Sequence, residues 1–446
     1  MKQTLSVFLM SSLLLCNIHA ENFIEIIDSA TLNDPSFKIS NLQTNLESAK
    51  IDTSWSFSHP SINITGTRKQ STNLSNSIGG FSQNTKESNI QNSYELTIKQ
   101  PIYNQAIVAF SEESEYLRKT IEHKKTTQYQ EFLLRISKLY FDTAYSQDVY
   151  ESALSQKQSL QTQLALAEKQ FEVGAVSNTV LQQIKAAYDN AEVGLLTAGQ
   201  QLQQQYDSLE SVTGKKFAKL KSISPSIPLE IPPPISQQEW IDLALAQNPN
   251  LLSAINYQVS TAYAVRRTEA EYVPALDLSV RYGVNTTKFN EYTSPFASFV
   301  NPNKKNTNYS VDLTLTIPLY NAPLLGQIQE SVLQREIASE QARSTTIQIE
   351  LQTKNIYQGL ISTIRQVKAL EQSYKSFKVA EEAIRAGFSV GIQSTSDLVQ
   401  AIANSENAKR DLALVRYTYI YNLLSLHAIA GKLNYQTLRN YSIYFN

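Results

Sequence analysis

Cysteine is almost absent from this chain. The single one, Cys16, lies in the opening segment MKQTLSVFLMSSLLLCNIHA. A disulfide framework is therefore excluded. Neither sign of charge dominates either: 39 basic residues meet 40 acidic ones, for a formal net charge of −1. That balance removes the electrostatic case for a nucleic-acid partner. No apolar run reaches the roughly 20 residues that a spanning helix needs. Glycine and proline are scarce, at 13 and 14 in 446 residues, and the prolines are unevenly placed. Residues 102–224 and 324–446 contain none, and each of these tracts is 123 residues long. Helices tolerate few interior prolines, so two equal proline-free tracts point to long helices and to a repeat.

The opening segment reads as an export signal. Lys2 supplies the positive region, Val7 to Leu15 the short apolar one, and Ile18-His19-Ala20 the cleavage site before Glu21. Leu15 stands where a lipid-bearing cysteine would be preceded by a small residue, so lipidation of Cys16 is not expected. The expected processed chain runs from Glu21 to Asn446 and lacks cysteine.

An internal repeat organises the remainder. Tyr94-Glu-Leu-Thr-Ile-Lys-Gln-Pro101-Ile-Tyr103-Asn104 parallels Val311-Asp-Leu-Thr-Leu-Thr-Ile-Pro318-Leu-Tyr320-Asn321. Phe171-Glu-Val-Gly174-Ala-Val-Ser177 parallels Phe388-Ser-Val-Gly391-Ile-Gln-Ser394, and Leu209 to Lys215 parallels Leu426 to Lys432. All three pairs are 217 residues apart. Asp28, Ala30 and Pro35 pair with Asp242, Ala244 and Pro249 at an offset of 214. Four matches in order at nearly one offset indicate duplication. The expected layout is a signal peptide over 1–20, a first repeat over 21–224, a Pro-rich linker over 225–235, a second repeat over 236–433 and a tail over 434–446. The linker, Pro225-Ser-Ile-Pro-Leu-Glu-Ile-Pro-Pro-Pro234, reads as stiff and extended.

Each repeat predicts the same elements. Ser236-Gln-Gln-Glu239 has a capping-box pattern. Asp34-Pro35 and Asn248-Pro249 each join an N-cap residue to a proline at the first helical position. Two strands follow in each half, and period-two alternation marks them as half-buried. In the second half, Leu276, Leu278, Val280 and Tyr282 alternate with polar residues over about 274–283. Tyr309, Val311, Leu313, Leu315 and Ile317 do so over about 308–318. Tyr94, Leu96 and Ile98 mark a strand near 93–101. Trp55, Phe57, Ile62 and Ile64 suggest a rougher one near 55–66. The Asn-, Ser- and Thr-rich stretches 67–92 and 283–308 read as loops.

The proline-free tracts predict helical hairpins over about 104–213 and 321–431. The stretch Asn104 to Phe171 alone makes a helix on the order of 100 Å long. Leu133, Ile136, Tyr140, Tyr150, Leu154, Leu164 and Phe171 form a heptad-like seam, as do Leu398, Ile402, Leu412, Tyr419, Leu423 and Leu426. Thr143, Gln147, Lys157, Gln161, Ser405, Lys409 and Arg416 thin the seams. Thinning suits helices that line water on one side.

Catalytic signatures are missing. His59, His123 and His427 are far apart in sequence, and no metal-ligand, nucleophile-elbow or phosphate-loop spacing occurs. The carboxylate pairs Glu112-Glu113 and Glu381-Glu382 fall on helix faces expected to be exposed. No enzyme activity, metal or cofactor is expected. Two non-enzymatic classes fit the pattern: a membrane conduit, or an exported coiled-coil structural protein or adhesin without channel activity. Four strands cannot close a barrel in lipid. Three copies supply twelve, enough for a channel, whereas eight leave an interior filled by side chains.

The duplicated order, the QPIYN and IPLYN strand-to-helix junctions and the F-x-V-G-x-x-S turns resemble the TolC family of outer-membrane efflux channels. The stretch from Gly387 to Lys432 carries the resemblance most strongly. It implies an α+β fold with four transmembrane strands per chain. A homotrimer would close a 12-stranded barrel in outer-membrane lipid of a Gram-negative cell, above a long periplasmic α-helical coiled-coil barrel. Implied partners are a periplasmic adaptor, or membrane fusion protein, and an inner-membrane pump or ABC transporter of an efflux or type I secretion system. The resemblance assigns adaptor contact to the hairpin tips, Phe171, Val173, Gly174 and Ser177 with Val390, Gly391 and Ser394. It assigns the pore constriction to Asp397, Gln400, Val180, Gln183, Phe388 and Gln393. Here the chain departs from the family pattern. The second of two acidic constriction positions falls on neutral Gln400. The Tyr and Arg that close the tip fall on Phe388 and Gln393, facing Thr179 and Val180, so the usual ionic lock is missing. The expected role of Asp397 is a ring of three carboxylates at the narrowest point.

Overall fold

The computed structural model describes residues 22–75, 85–292 and 304–445. The export signal lies outside them. In chain order the elements are α1 (Phe23–Asn33), α2 (Pro35–Ser56), β1 (Ser61–Ser75), β2 (Thr85–Tyr103), α3 (Gln105–Glu172), α4 (Asn178–Thr213), α5 (Gln237–Gln247), α6 (Pro249–Glu269), β3 (Ala275–Tyr292), β4 (Lys304–Thr316), α7 (Ala322–Ser389), α8 (Thr395–Ile429) and α9 (Tyr435–Ser442). The repeat is visible in the lengths: α3 and α7 each have 68 residues. Proline opens α2 and α6, where its missing N–H is no loss. Ser236 does precede α5, but its side chain makes no cap hydrogen bond.

The elements form two compact units that cut across the sequence repeats. One takes the described residues of Met1–Leu42, Lys124–Leu251 and Thr346–Asn446; the other takes Gln43–His123 and Leu252–Thr345. The second contains the sheet, which is antiparallel throughout with strand order β1-β2-β3-β4. Each repeat contributes one β-hairpin, and β2 pairs with β3 to join them. The strands run further than the alternation suggested. Pairing from Arg68↔Asn92 to Ser75↔Thr85, and from Gly283↔Asn308 to Thr287↔Lys304, lies within the stretches read as loops. Backbone pairing needs no apolar side chain, so polar residues continue the ladder. Trp55 is a correction of the opposite kind. It belongs to α2, Phe57 sits in the following turn, and β1 begins only after Pro60, which cannot donate to a ladder.

The other unit carries the main core. Phe23, Tyr140, Phe141 and Phe445 form an aromatic cluster with ring centroids 5.0–5.9 Å apart. Such pairs contribute beyond the area they bury. The linker and the residues that lead into it are held against this unit by side chains that bond their backbone. Tyr140 donates to Lys221 O at 2.7 Å, Tyr419 to Pro228 O at 2.9 Å, and Trp240 Nε1 to Pro234 O at 2.6 Å. Gln147 bonds both groups of Leu220, accepting from its N–H at 2.9 Å and donating to its carbonyl at 3.2 Å. The tail residues join in: Ser224 N–H donates to Tyr444 O at 2.7 Å, and Phe445 bridges Ile223.

These contacts revise the reading of the thinned seam. Thr143 and Gln147 are buried on α3, and Ser405 is buried on α8. Thr143 returns its hydroxyl to Leu139 O at 2.7 Å. They are satisfied core polar groups and do not line water. The acidic pairs are also revised. Glu113 is buried and accepts from Arg267 Nε at 2.6 Å. Glu381 is buried between Arg385 at 2.6 Å and Lys378 at 3.0 Å. Adjacent residues point about 100° apart on a helix, so Glu112 and Glu382 remain exposed while their neighbours turn inward. Burial by itself raises the Glu381 carboxyl, but hydrogen bonds from Arg385, Lys378 and Ser405 outweigh it and leave it below the usual range.

Candidate functional site

Two features of the chain qualify as functional: the exposed face of the sheet and the turns that reverse the long helices. In the sheet, directly paired residues share a face. One row runs Ile62–Ile98–Val280–Val311, and the next runs Ile64–Leu96–Tyr282–Tyr309. The opposite face carries Ser61–Lys99–Ser279–Asp312 and Asn63–Thr97–Arg281–Ser310. The apolar face is open: Ile64 is 78% exposed and Tyr309 85%. Such a patch far exceeds the scattered apolar residues of an ordinary surface. Among the described residues, strands β1 and β4 each have a neighbour on one side only, leaving two long edges with free backbone groups.

The two hairpin turns are built alike, and local chemistry explains the repeated F-x-V-G-x-x-S. Gly174 and Gly391 adopt φ of 72° and 78°, a left-handed conformation that a Cβ disfavours. Gly174 N–H donates to Phe171 O at 2.9 Å, and Ala175 N–H to Gln170 O at 2.7 Å. Gly391 N–H donates to Phe388 O at 3.1 Å, and Ile392 N–H to Gly387 O at 2.9 Å. This is the Schellman pattern. Three residues after each glycine, a serine caps the next helix. Ser177 Oγ accepts from Val180 N–H at 3.4 Å, and Ser394 Oγ accepts from Asp397 N–H at 3.2 Å. Val173 and Val390 are exposed at the turns, as are Phe171, Ser177 and Ser394.

Asp397 closes a capping box. Its Oδ2 accepts from Ser394 Oγ at 2.6 Å and from Ser394 N–H at 3.1 Å. Those two hydrogen bonds hold its carboxyl below the usual range. Of the other residues assigned to the constriction, Val180 and Gln183 lie on α4, Phe388 on α7, Gln393 in the turn after it and Gln400 on α8. Gln183 and Gln400 are exposed and line the same groove of about 730 Å³ between α3, α4 and α8. Gln400 donates to Asn404 Oδ1 at 2.8 Å. Val180 is half-buried on the first turn of α4. Phe388 packs against the cluster of Leu160, Ala191, Leu398 and Ile402. Gln393 is exposed, and its side chain lies over Gly387, where a Cβ would meet its Cγ at 2.7 Å. Ala186, Ala187, Asn190 and Gly194 also line the groove. Sequence reasoning missed them, although their recurrence on one face of α4 was a signal. The partners of Asp148 gave no such signal: Ser222 and Tyr417 each donate to it at 2.9 Å from distant parts of the chain. Burial raises this carboxyl, and those hydrogen bonds oppose the rise.

An apolar sheet face open on both edges, joined to long helices that reverse at paired turns, defines a component of a membrane channel. The chain belongs to the outer membrane efflux protein family, whose model matches residues 26–215 and 240–432. It is 25% identical over 445 residues to outer membrane protein TolC of Vibrio cholerae, covering 98% of this chain and 97% of that one. It is 25% identical over 346 residues to the alkaline protease secretion protein AprF of Pseudomonas aeruginosa, covering 76% and 69%. Among solved structures, the Campylobacter jejuni CmeC outer membrane channel superposes with a TM-score of 0.73 at 15% identity, covering 96% of this chain and 90% of that one. The protein is an outer-membrane exit duct of this efflux family. Its family is one of transport channels and not of enzymes.

Proposed function

We propose that three copies close a twelve-stranded barrel in the outer membrane and conduct cargo delivered by a periplasmic adaptor and an inner-membrane transporter. The observation that carries this reading is the pair of unpaired edges flanking an exposed apolar face. An open edge in lipid costs several kcal/mol for each unsatisfied backbone group. Pairing β4 of one copy with β1 of the next removes every edge. The apolar rows then face lipid, and the rows with Lys99, Arg281 and Asp312 face the channel. Three copies, and not two, leave a lumen.

The exposed turns at Val173–Ser177 and Val390–Ser394 are the adaptor contacts in this reading, together with Phe171. Asp397 supplies a ring of three carboxylates beside Gln400, with Val180, Gln183, Phe388 and Gln393 nearby. Neighbouring carboxylates raise one another's pKa, while the capping box in each copy works against that rise. The ring therefore stays ionised at neutral pH and favours cations. Specificity resides in the transporter, since a passive duct selects loosely.

The mass of the detergent-purified particle and its conductance in a planar bilayer test the reading. Three chains per particle and stable conductance are expected; a water-soluble monomer refutes it. Reversal potentials in a salt gradient test the ring. Asp397→Asn should shift cation preference toward unity, and an unchanged preference removes Asp397 from the constriction.

A further inference from the structure

The apolar side of the sheet changes character at one end. Along β3 its residues run Leu276, Leu278, Val280, Tyr282 and Val284, then Thr286 and Lys288. The apolar part spans about 27 Å along the strand at about 3.4 Å per residue. The next row is Arg68–Asn92–Thr286–Lys305, and the row beyond it contains Gln70, Ile90 and Lys288. Arg68, Lys288 and Lys305 are all exposed. By register, Lys86 and Glu291 also fall on this side, further from the apolar band (Leu74↔Lys86, Thr72↔Ser88↔Glu291). Arg68, Lys288 and Lys305 are the cations that border the band, and among the described residues no carboxylate lies between them and it. Glu95, Asp277 and Asp312 sit on the opposite side, nearer the helices. The three cations therefore stand directly above the apolar band, at the end of the sheet away from the junctions with α2, α3, α6 and α7.

Lys288 and Lys305 are diagonal neighbours on adjacent strands, a spacing of roughly 7–8 Å. That separation lets both ammonium groups reach one phosphate. Arg68 belongs to the other edge strand. Edge-to-edge closure brings a β1 bearing Arg68 against a β4 bearing Lys305 at each of three seams.

We propose that Arg68, Lys288 and Lys305 bind the phosphate groups of a phosphorylated glycolipid in the outer leaflet. Its acyl chains lie on the apolar rows beneath. This rests on the barrel reading above, because only a closed barrel places that side in lipid. Charge complementarity and continuity with the apolar band carry the assignment. The seam thus becomes a joint held by lipid as well as by backbone hydrogen bonds.

The opposite side at the same level provides an internal control. Lys69 and Lys304 share the row Lys69–Gln91–Thr287–Lys304 and face the channel. The test is a native mass-spectrometric titration of the full-length, detergent-purified protein with diphosphoryl lipid A and with its phosphate-free form. R68Q/K288Q/K305Q should bind the phosphorylated lipid at least about tenfold more weakly, since each cation near an anionic lipid surface accounts for about fivefold. K69Q/K304Q should bind like wild type, both variants should keep trimer mass, and R68Q/K288Q/K305Q should keep wild-type conductance. Equal binding by wild type and the triple variant overturns the proposal, as does equal binding of the phosphate-free lipid. An equal loss in K69Q/K304Q overturns it too, by reducing the effect to net charge. Failure of the wild type to form a conducting trimer would sink the barrel reading and this site with it.

Discussion

Gly391 and Gly431 follow the ends of α7 and α8 and have nearly equal φ, 78° and 70°, yet replacing each by alanine should have very different consequences. The backbone cost is common to both. A left-handed residue with a Cβ is disfavoured by about 1 kcal/mol or somewhat more. At Gly391 nothing lies within 4 Å of the added carbon, so the cost ends there. At Gly431 the new Cβ would sit 2.3 Å from Gln247 O and 3.0 Å from Gln247 C. A backbone carbonyl cannot swing aside as a side chain can. The end of α8 must move away from α5, which strains the hydrogen bond from Asn248 Nδ2 to Ile429 O at 2.9 Å. Overpacking of this kind costs about 1–3 kcal/mol, for a total of roughly 2–4 kcal/mol. A cooperative unit of roughly 250 residues loses about 2 °C per kcal/mol. Thermal unfolding followed by far-UV circular dichroism in detergent should therefore lower the midpoint by about 2 °C for Gly391→Ala and about 4–8 °C for Gly431→Ala. If the two midpoints agree within about 1 °C, the close approach to Gln247 is wrong.

Three further outcomes follow from other parts of the molecule. Burial holds His427 at about 4, below its ordinary 6.5, with Lys432 adding to the shift; it packs on Trp240 and bonds Tyr441 at 3.1 Å. The unfolded chain takes up this proton first, so stability is complete above pH 6.5 and falls by on the order of 3 kcal/mol as pH drops to 4. Unfolding midpoints measured from pH 7.5 to 4.5 should show His427→Gln losing part of that slope; parallel curves would exclude the residue as its source. Tyr417→Phe removes a donor from half-buried Asp148 and an acceptor from Ile223 N–H, and should cost about 1–3 kcal/mol in the same assay; an unchanged midpoint would show that water replaces the hydroxyl. Leu313 is exposed in the single chain, yet Leu313→Arg should cost about 2–4 kcal/mol at a lipid-facing position and reduce the trimer recovered from outer membranes. Recovery at the wild-type level would mean that this side of the sheet meets water.

The parts legible in the sequence were those fixed by local chemistry. A left-handed glycine with a serine cap three residues on is readable at 174–177 and 391–394 because every group in the turn lies within a few residues. Alternation exposed the apolar ends of the strands for the same reason. Their polar extensions were hidden, since a ladder of Asn, Ser and Thr resembles a loop until its partner strand is known. Long-range use of side chains was hidden too. Nothing near Gln147 announces that it will bond the backbone of Leu220, and nothing near Glu381 announces Arg385 and Lys378 as a neutralising pair within a buried site. The family resemblance marked Phe388 for the constriction, but only tertiary packing revealed its contact with Leu160, Leu398 and Ile402.

The aromatic cluster has a consequence for biogenesis. Phe23 and Phe445 pack with ring centroids 5.2 Å apart although 422 positions separate them along the polymer. A chain emerging amino end first cannot complete this contact until nearly everything else has crossed the inner membrane. Early segments must wait with greasy surface uncovered, in reach of proteases and of one another. Periplasmic holding factors are the natural remedy for such a delay, and truncations that remove Phe445 should be degraded and leave no shortened but working duct.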